Sequence, residues 1–467
     1  MSASHKFDRL AVHLPDTTGT MVRVGTLTRE PSGMVTFEVA EGYIDMGPNR
    51  PVLSTCWLRQ GDENMTVQRL RSPEGKRATN NNLPPWFAGL LPEGALRLLV
   101  ETDLGTGRHG DFDVIKHVGR DLPGAVVVVP EGEAPLPWAP EAVDAAGKVH
   151  VRFSLAGVQP KWSMAEGQGR LTLPAFGTDG HIIAKMANEE IGDMPECEYA
   201  TMLMARAVGI ETADVMLYPK SAVEGLPPEM LRYGDSVLAI KRFDRQAGSR
   251  QHMEDYAQVF GATGDQKYIF ANTETCIKLS GMFAEDHFGT ILEATRRVVA
   301  NILLGNNDCH LKNWSLLLQP GGRPRLSPAY DITPTVAFDN GRKMALKFSG
   351  AQAVDAVRMR NFTHPASFFR VPAAAIEAEV RRTVREAAER WSSMRQGLPM
   401  SLDRQRSLAR LWQALPLTEG VGCPFPDAPP RPAGSVAKRA QEIREAMAPA
   451  AAHAPEPTAD GAEVPAP

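Results

Sequence analysis

Residues 305–314, GNNDCHLKNW, gather an aspartate, a histidine, a lysine and three asparagines at the end of the apolar run VVANILLG. Asp308 and Asn313 stand five positions apart, and Asp331 follows eighteen positions later in LSPAYDITP. Transfer of a γ-phosphoryl group needs such a set. One carboxylate must sit near the attacking hydroxyl, and oxygen ligands must hold Mg²⁺ on the phosphates. The gap from Asn313 to Asp331 is longer than in typical protein kinases. Two other readings compete. Asn306 and Asn307 could close a helix with Asp308 capping the next turn. Asp308 and His310 could bind zinc, although no second histidine or cysteine recurs at ligand spacing.

Three upstream motifs could serve a nucleotide. In FSLAGVQPKWSM a turn at Ala156, Gly157 and Val158 exposes backbone N–H groups ahead of Lys161, which suits phosphates. The stretch is neither a Walker A motif nor GxGxxG, and taken alone it is better accounted for by a plain β-hairpin. Lys185 closes the apolar strand HIIAKMA, and a helix with Glu196 and Glu198 near its start follows. That order resembles the strand lysine and helix glutamate that pair in kinases; a lysine snorkelling at a strand edge is the alternative. AIKRFDR ends another strand where a hinge would lie, and Phe243 could pack on a base or in a core. Singly these motifs decide little. In sequence they run phosphate loop, strand lysine, helix glutamate, hinge strand, catalytic loop and metal aspartate.

The elements that must position these residues change character along the chain. Residues 8–60 alternate short β-branched and aromatic runs with turn residues, and NNNLPPWFAGLLPEGALRLLVETDLG is expected to form a Pro-initiated helical segment. A Pro-rich linker places a boundary near 135, giving a small N-terminal subdomain over 1–135. Residues 136–252 read as a β-rich nucleotide-binding lobe and 253–418 as an all-helical catalytic lobe. Residues 419–467, rich in proline and alanine, read as a disordered tail. The expected class is α+β, with a two-lobed protein-kinase-like fold and a cleft between the lobes. The 467 residues suffice for two or three domains. Five widely spaced cysteines contain no CxxC pair, so neither a disulfide framework nor a zinc ribbon is indicated. A net charge of −4 argues against nucleic acid as the main partner. No apolar run of transmembrane length and no N-terminal signal pattern are seen, so a cytoplasmic protein without a membrane partner is expected.

SLAGVQPK, HIIAK, KRFDR, EDYAQVFG, GNNDCHLKNWSLL and LSPAYDI together resemble the HipA-like kinases, the toxin half of HipA–HipB toxin–antitoxin pairs. LPPWFAGLLPEG and FDVIKHVGRDLPGAVVVVPEG are similar to the small N-terminal subdomain of that family, so the likeness runs over roughly 8–415. The resemblance implies a serine/threonine protein kinase using ATP and Mg²⁺. It makes Asp308 the catalytic residue and Asn313 and Asp331 the Mg²⁺ ligands. Lys161 and Lys185 become phosphate contacts, Glu198 the ion-pair partner of Lys185, and Phe243 the neighbour of the adenine. Lys241 stands where some relatives carry glutamate at the nucleotide hinge. Lys312 is a candidate phosphate contact and His310 a prop of the same loop. Ser154 matches a loop serine that family members phosphorylate on themselves as an off-switch. The resemblance further implies a HipB-like helix-turn-helix antitoxin as partner, with DNA contacted mainly through it. It implies aminoacyl-tRNA synthetases, notably glutamyl-tRNA synthetase, as targets whose loss slows growth and promotes persistence. Two alternatives stay open: a catalytically silent co-repressor that acts with its antitoxin, and a kinase of another protein or of a small hydroxyl compound.

Overall fold

The computed structural model describes residues 7–107, 109–135, 161–172, 180–226, 228–246, 249–339 and 341–426. Ser154, Ala156, Gly157 and Val158, the expected linker from residue 136 on, and the chain beyond Pro426 lie outside these residues.

The N-terminal strands form one antiparallel sheet in the order Arg77–Ala78, Val35–Val39, Met21–Arg29, Asp8–Pro15, Val127–Pro130. The first hairpin is closed by Asp16, whose Oδ1 accepts hydrogen bonds from the backbone N–H of Thr18 and Thr20 at 2.8 and 3.0 Å. One face of the sheet buries Phe37 against Phe87, with ring centroids 4.7 Å apart, and Trp86 stands edge-on to Phe87 at 5.0 Å. The segment expected as one Pro-initiated helix divides into Pro85–Ala88 and Gly94–Leu104. Pro92 lies between them, has no N–H to donate and cannot continue a helix. The break leaves Glu93 at the start of the second helix.

A second antiparallel sheet runs Arg170–Thr172, Lys161–Gly167, Ile182–Lys185, Ser236–Lys241, Val215–Pro219. Its register sets Lys161 directly opposite Lys185. Two ammonium groups facing each other repel, so the pairing requires anions from elsewhere. The helix Met194–Ala207 supplies one. Glu198 on it is fully buried, and Thr201, one turn on, donates to the carbonyl of Ile332 at 2.5 Å. That bond fixes the backbone beside Asp331.

The C-terminal part departs from the all-helical expectation. Strand Ser315–Leu318 pairs with His252–Asp255 on one side and Arg325–Leu326 on the other, and Lys343–Phe348 forms a hairpin with Ala351–Ala353. SLLL is buried at all four positions and is followed at once by the turn-forming QPGG, too short a run for a helix but right for a core strand. The helices His287–Leu304, Ala373–Met394 and Leu402–Ala414 follow the expected amphipathic periods. Residues 419–426, expected to belong to a disordered tail, are ordered. Trp412 Nε1 donates to the carbonyl of Val421, and buried Phe425 packs on the Trp391 ring with centroids 6.1 Å apart.

Candidate active site

The helix His287–Leu304 delivers the central loop. It ends at Gly305, whose φ of +67° allows the N–H groups of Gly305 and Asn306 to bond back to Ile302 and Asn301. A side chain here would meet Val336 at 2.8 Å and Leu411 at 2.9 Å. The two asparagines that follow brace the loop. Asn306 Nδ2 donates to Asn301 Oδ1 at 2.9 Å and to the carbonyl of Asp331 at 3.2 Å. Asn307 Nδ2 donates to the carbonyl of Gly341, and its own carbonyl accepts from Ala345 N–H at 2.7 Å. Asn313 Nδ2 reaches back to the carbonyl of Asp308 at 2.9 Å, which leaves its amide oxygen as an acceptor.

These bonds leave the Asp308 carboxylate at the loop's apex, where the hydroxyl of Tyr268 donates to Oδ1 at 3.3 Å. Burial, reinforced by the charge of Asp331, pushes the Asp308 carboxyl up to about 6. Such a group is ionised near neutrality yet basic enough to accept a proton.

Asp331 has φ of +59°, an unusual conformation for a residue with a side chain, and it turns a carboxylate oxygen to within 2.5 Å of Lys185 Nζ. The same ammonium donates to Glu198 Oε1 at 2.6 Å. Burial would raise the Asp331 carboxyl, but the charges of Lys185 and Lys161 prevail and hold it well below the usual range. Lys185 is held charged by Asp331 and Glu198 against the opposing effect of burial. Burial and the neighbouring Lys185 bring Lys161 down to about 8. Two lysines and two carboxylates therefore form one buried cluster, in which Asp331 remains an anion.

Lys161, Lys185, Phe243, Lys312, Asn313 and Asp331 line one cleft, with Lys241 and His310 also on its wall. Phe243 packs on Tyr330 with centroids 5.7 Å apart. Its position follows from a buried charge network around it. Arg242 and Arg245 both hold Asp244, at 2.8 and 2.9 Å, and both reach Asp121 of the N-terminal part, at 3.1 and 2.8 Å. His310 is buried, which brings its imidazole down to about 4 and keeps it neutral near pH 7. Its ring stands edge-on to Tyr268 at 5.2 Å, and its Nδ1 has no hydrogen-bond partner among the described residues. A second, largely apolar cavity near Tyr43 and Trp57 brings no comparable set of lysines and carboxylates together.

The donor set suits Mg²⁺ held on phosphates. The ion favours hard oxygen ligands and keeps few from the protein, and an ionised Asp331 with the Asn313 amide oxygen supplies two. No group of three or more His, Cys, Asp or Glu side chains suited to a metal occurs among the described residues. Three participants were not apparent in the sequence: Tyr268 on Asp308, Asp255 on the cleft wall, and Glu93, which binds both Lys267 and Lys312. Glu93 lies 219 residues from Lys312, so no local pattern could announce the contact.

Comparison with known proteins finds two family models in succession. Residues 10–129 match the HipA N-terminal domain, and residues 153–391 match the HipA-like C-terminal domain. A Sinorhizobium fredii protein with a kinase name, Y4dM, is 36% identical over 388 residues, which is 81% of this chain and 91% of that protein. The serine/threonine-protein kinase toxin HipA of Shewanella oneidensis is 27% identical over 305 residues, 56% of this chain and 65% of that one. Among solved structures, a chain from the complex of HipA, HipB and operator DNA of Shewanella oneidensis superposes with a TM-score of 0.64. It is 18% identical, and the match covers 89% of this chain and 98% of that chain.

Proposed function

The chain belongs to the HipA family, and on that premise we propose that it is an ATP- and Mg²⁺-dependent serine/threonine protein kinase acting as a toxin. The observation that carries the reading is the convergence in one cleft of Lys161, Lys185, Asn313 and Asp331 around the loop that presents Asp308. Asp308 accepts the proton of the substrate hydroxyl as its oxygen attacks phosphorus. Tyr268 orients that carboxylate, and the Asp308–Asn313 bond holds base and metal ligand in one geometry. Bound at Asn313 and Asp331, Mg²⁺ would neutralise charge on the phosphates. Lys185 stays charged and faces the nucleotide with Lys161. Glu198 fixes the Lys185 side chain from behind. Phe243, set by the Arg242–Asp244–Arg245 network, offers a ring to the adenine.

Family membership and the Shewanella oneidensis relatives support a growth-arresting role. In this proposal the partner is a HipB-like helix-turn-helix antitoxin, through which DNA is contacted, the target is an aminoacyl-tRNA synthetase, and Ser154 is the self-phosphorylated off-switch. One experiment tests the core. Purified protein is incubated with Mg²⁺ and γ-labelled ATP, alone and with synthetases, and phosphosites are mapped by mass spectrometry. Label should enter serine or threonine residues, Ser154 among them, and Asp308→Asn should lower the rate by about a thousand-fold or more. Equal rates in the two proteins would remove the kinase reading, and label on a small hydroxyl compound alone would remove the protein substrate.

A further inference from the structure

We propose that Glu93, contributed by the N-terminal domain, is a positioning residue of the phosphoryl-transfer site, holding Lys312 toward the transferred phosphate and Lys267 beside the catalytic loop. The inference rests on the kinase reading above and adds to it a residue outside the lobes that carry the nucleotide motifs. Glu93 Oε1 accepts from Lys312 Nζ at 2.8 Å and Oε2 from Lys267 Nζ at 2.7 Å. Both lysine side chains are only 6% exposed, whereas Glu93 is 24% exposed. Lys312 lines the nucleotide cleft one residue before Asn313. Lys267 directly precedes Tyr268, whose hydroxyl donates to Asp308. One carboxylate thus grips the segments on both sides of the catalytic aspartate.

The grip is rigidly mounted. Leu90, Leu91 and Pro92 ahead of Glu93 are buried. Gly89 packs so closely on Gln258 that a side chain there would come within 2.5 Å of its Cγ. Gln258 Nε2 donates to the carbonyl of Trp86, and Trp86 Nε1 donates to the buried carboxylate of Glu254 at 3.1 Å. The docking of the N-terminal domain therefore fixes where the Glu93 carboxylate stands.

An ammonium has three donors, and Glu93 engages one on each lysine. Lys312 keeps two for a phosphate while losing the freedom of its four-carbon stem before the nucleotide arrives. Pre-paid ordering of that kind lowers the barrier to the chemical step rather than the concentration at which substrate binds. In this proposal the N-terminal domain completes the active site.

The test uses the full chain, following initial rates of label transfer from γ-labelled ATP into the protein itself, with thermal unfolding as the check on folding. Glu93→Gln keeps shape and one acceptor but loses the charge. It should lower kcat roughly ten- to hundred-fold with little change in KM for ATP. In a Lys267→Ala/Lys312→Ala background the same substitution should cost nothing further, because its partners are gone. Glu93→Asp, which keeps the charge, should recover part of the lost rate. Equal kcat for a folded Glu93→Gln protein and the wild type would overturn the proposal, as would an undiminished loss in the lysine-free background. Absence of label from the wild type itself would instead remove the kinase reading, and this role with it.

Discussion

A carboxylate accepts a hydroxyl proton only while ionised, so the state of Asp308 sets an acid limit on the proposed reaction. Its carboxyl stands at about 6 because it is buried and faces Asp331. Below that pH the group is protonated and transfer stops; above it the group is ionised and transfer proceeds. The rate should therefore fall with a midpoint near pH 6 as pH is lowered. The Tyr268 hydroxyl favours the ionised form, so Tyr268→Phe should move the midpoint to higher pH. A pH–rate profile of label transfer checks both statements, and a wild-type midpoint near the ordinary aspartate value of about 4 would refute the assignment. At this scale Asp308, Asn313 and Asp331 stood out in the sequence by residue type and spacing, and the structure brings Asn313 and Asp331 to one cleft beside the loop that carries Asp308. Tyr268 and Glu93 were not legible, since a contact across 40 or 219 residues leaves no mark on local sequence.

The helix His287–Leu304 illustrates the element scale. Its apolar period marked it in the sequence, whereas Asn306 and Asn307, rather than Gly305, were the residues read as closing it. The left-handed turn at Gly305 then directs the chain into Asn306 and Asp308, while Val336 and Leu411 leave no room for a side chain. Gly305→Ala should lower unfolding free energy by about 2 kcal/mol or more, from the backbone conformation and the crowding together. Urea denaturation measures the loss. Label transfer should fall further than the unfolded fraction explains, because the loop that carries Asp308 starts there; a change in stability alone would show that the turn does not set the site. The strand Ser315–Leu318 is the opposite case. The turn-forming QPGG marks its hairpin with Arg325–Leu326, but nothing local marks its pairing with His252–Asp255, and a helical lobe was expected where a small sheet is inserted. A buried four-residue run states that it is core and leaves its neighbour unstated.

Across the whole molecule, the N-terminal domain is joined to the rest through buried polar groups. Glu254 is fully buried and accepts from Ser54 Oγ, Thr55 N–H and Trp86 Nε1 at 2.8, 2.7 and 3.1 Å. Asp121 holds both Arg242 and Arg245, which are themselves buried. Removing one member of such a network leaves charge without its counterpart. Asp121→Ala should therefore destabilise the protein by about 3 kcal/mol or more and loosen Phe243, which stands between the two arginines in sequence. Differential scanning calorimetry should show the transition at lower temperature, and nucleotide binding should weaken. An unchanged transition would mean that the joint between the domains does not depend on this network.

The sequence alone suggested a kind of chemistry and laid out the order of the parts. Lysines, carboxylates and an asparagine of the types that phosphoryl transfer uses fall on strand ends and one loop, and hydrophobic periods mark most of the helices and strands that carry them. Those signals are local, and local sequence encodes them because propensity, turn chemistry and residue type act within a few positions. Only the tertiary structure decided which charges meet. It set Lys161 opposite Lys185, brought Asp331 across 146 residues to Lys185, and placed Glu93 between Lys267 and Lys312. Packing then fixed their ionisation: burial raises Asp308, while the charges of Lys185 and Lys161 outweigh burial and keep Asp331 an anion. Desolvation and long-range charge pairing belong to the packed chain, so they exist only once the fold has closed.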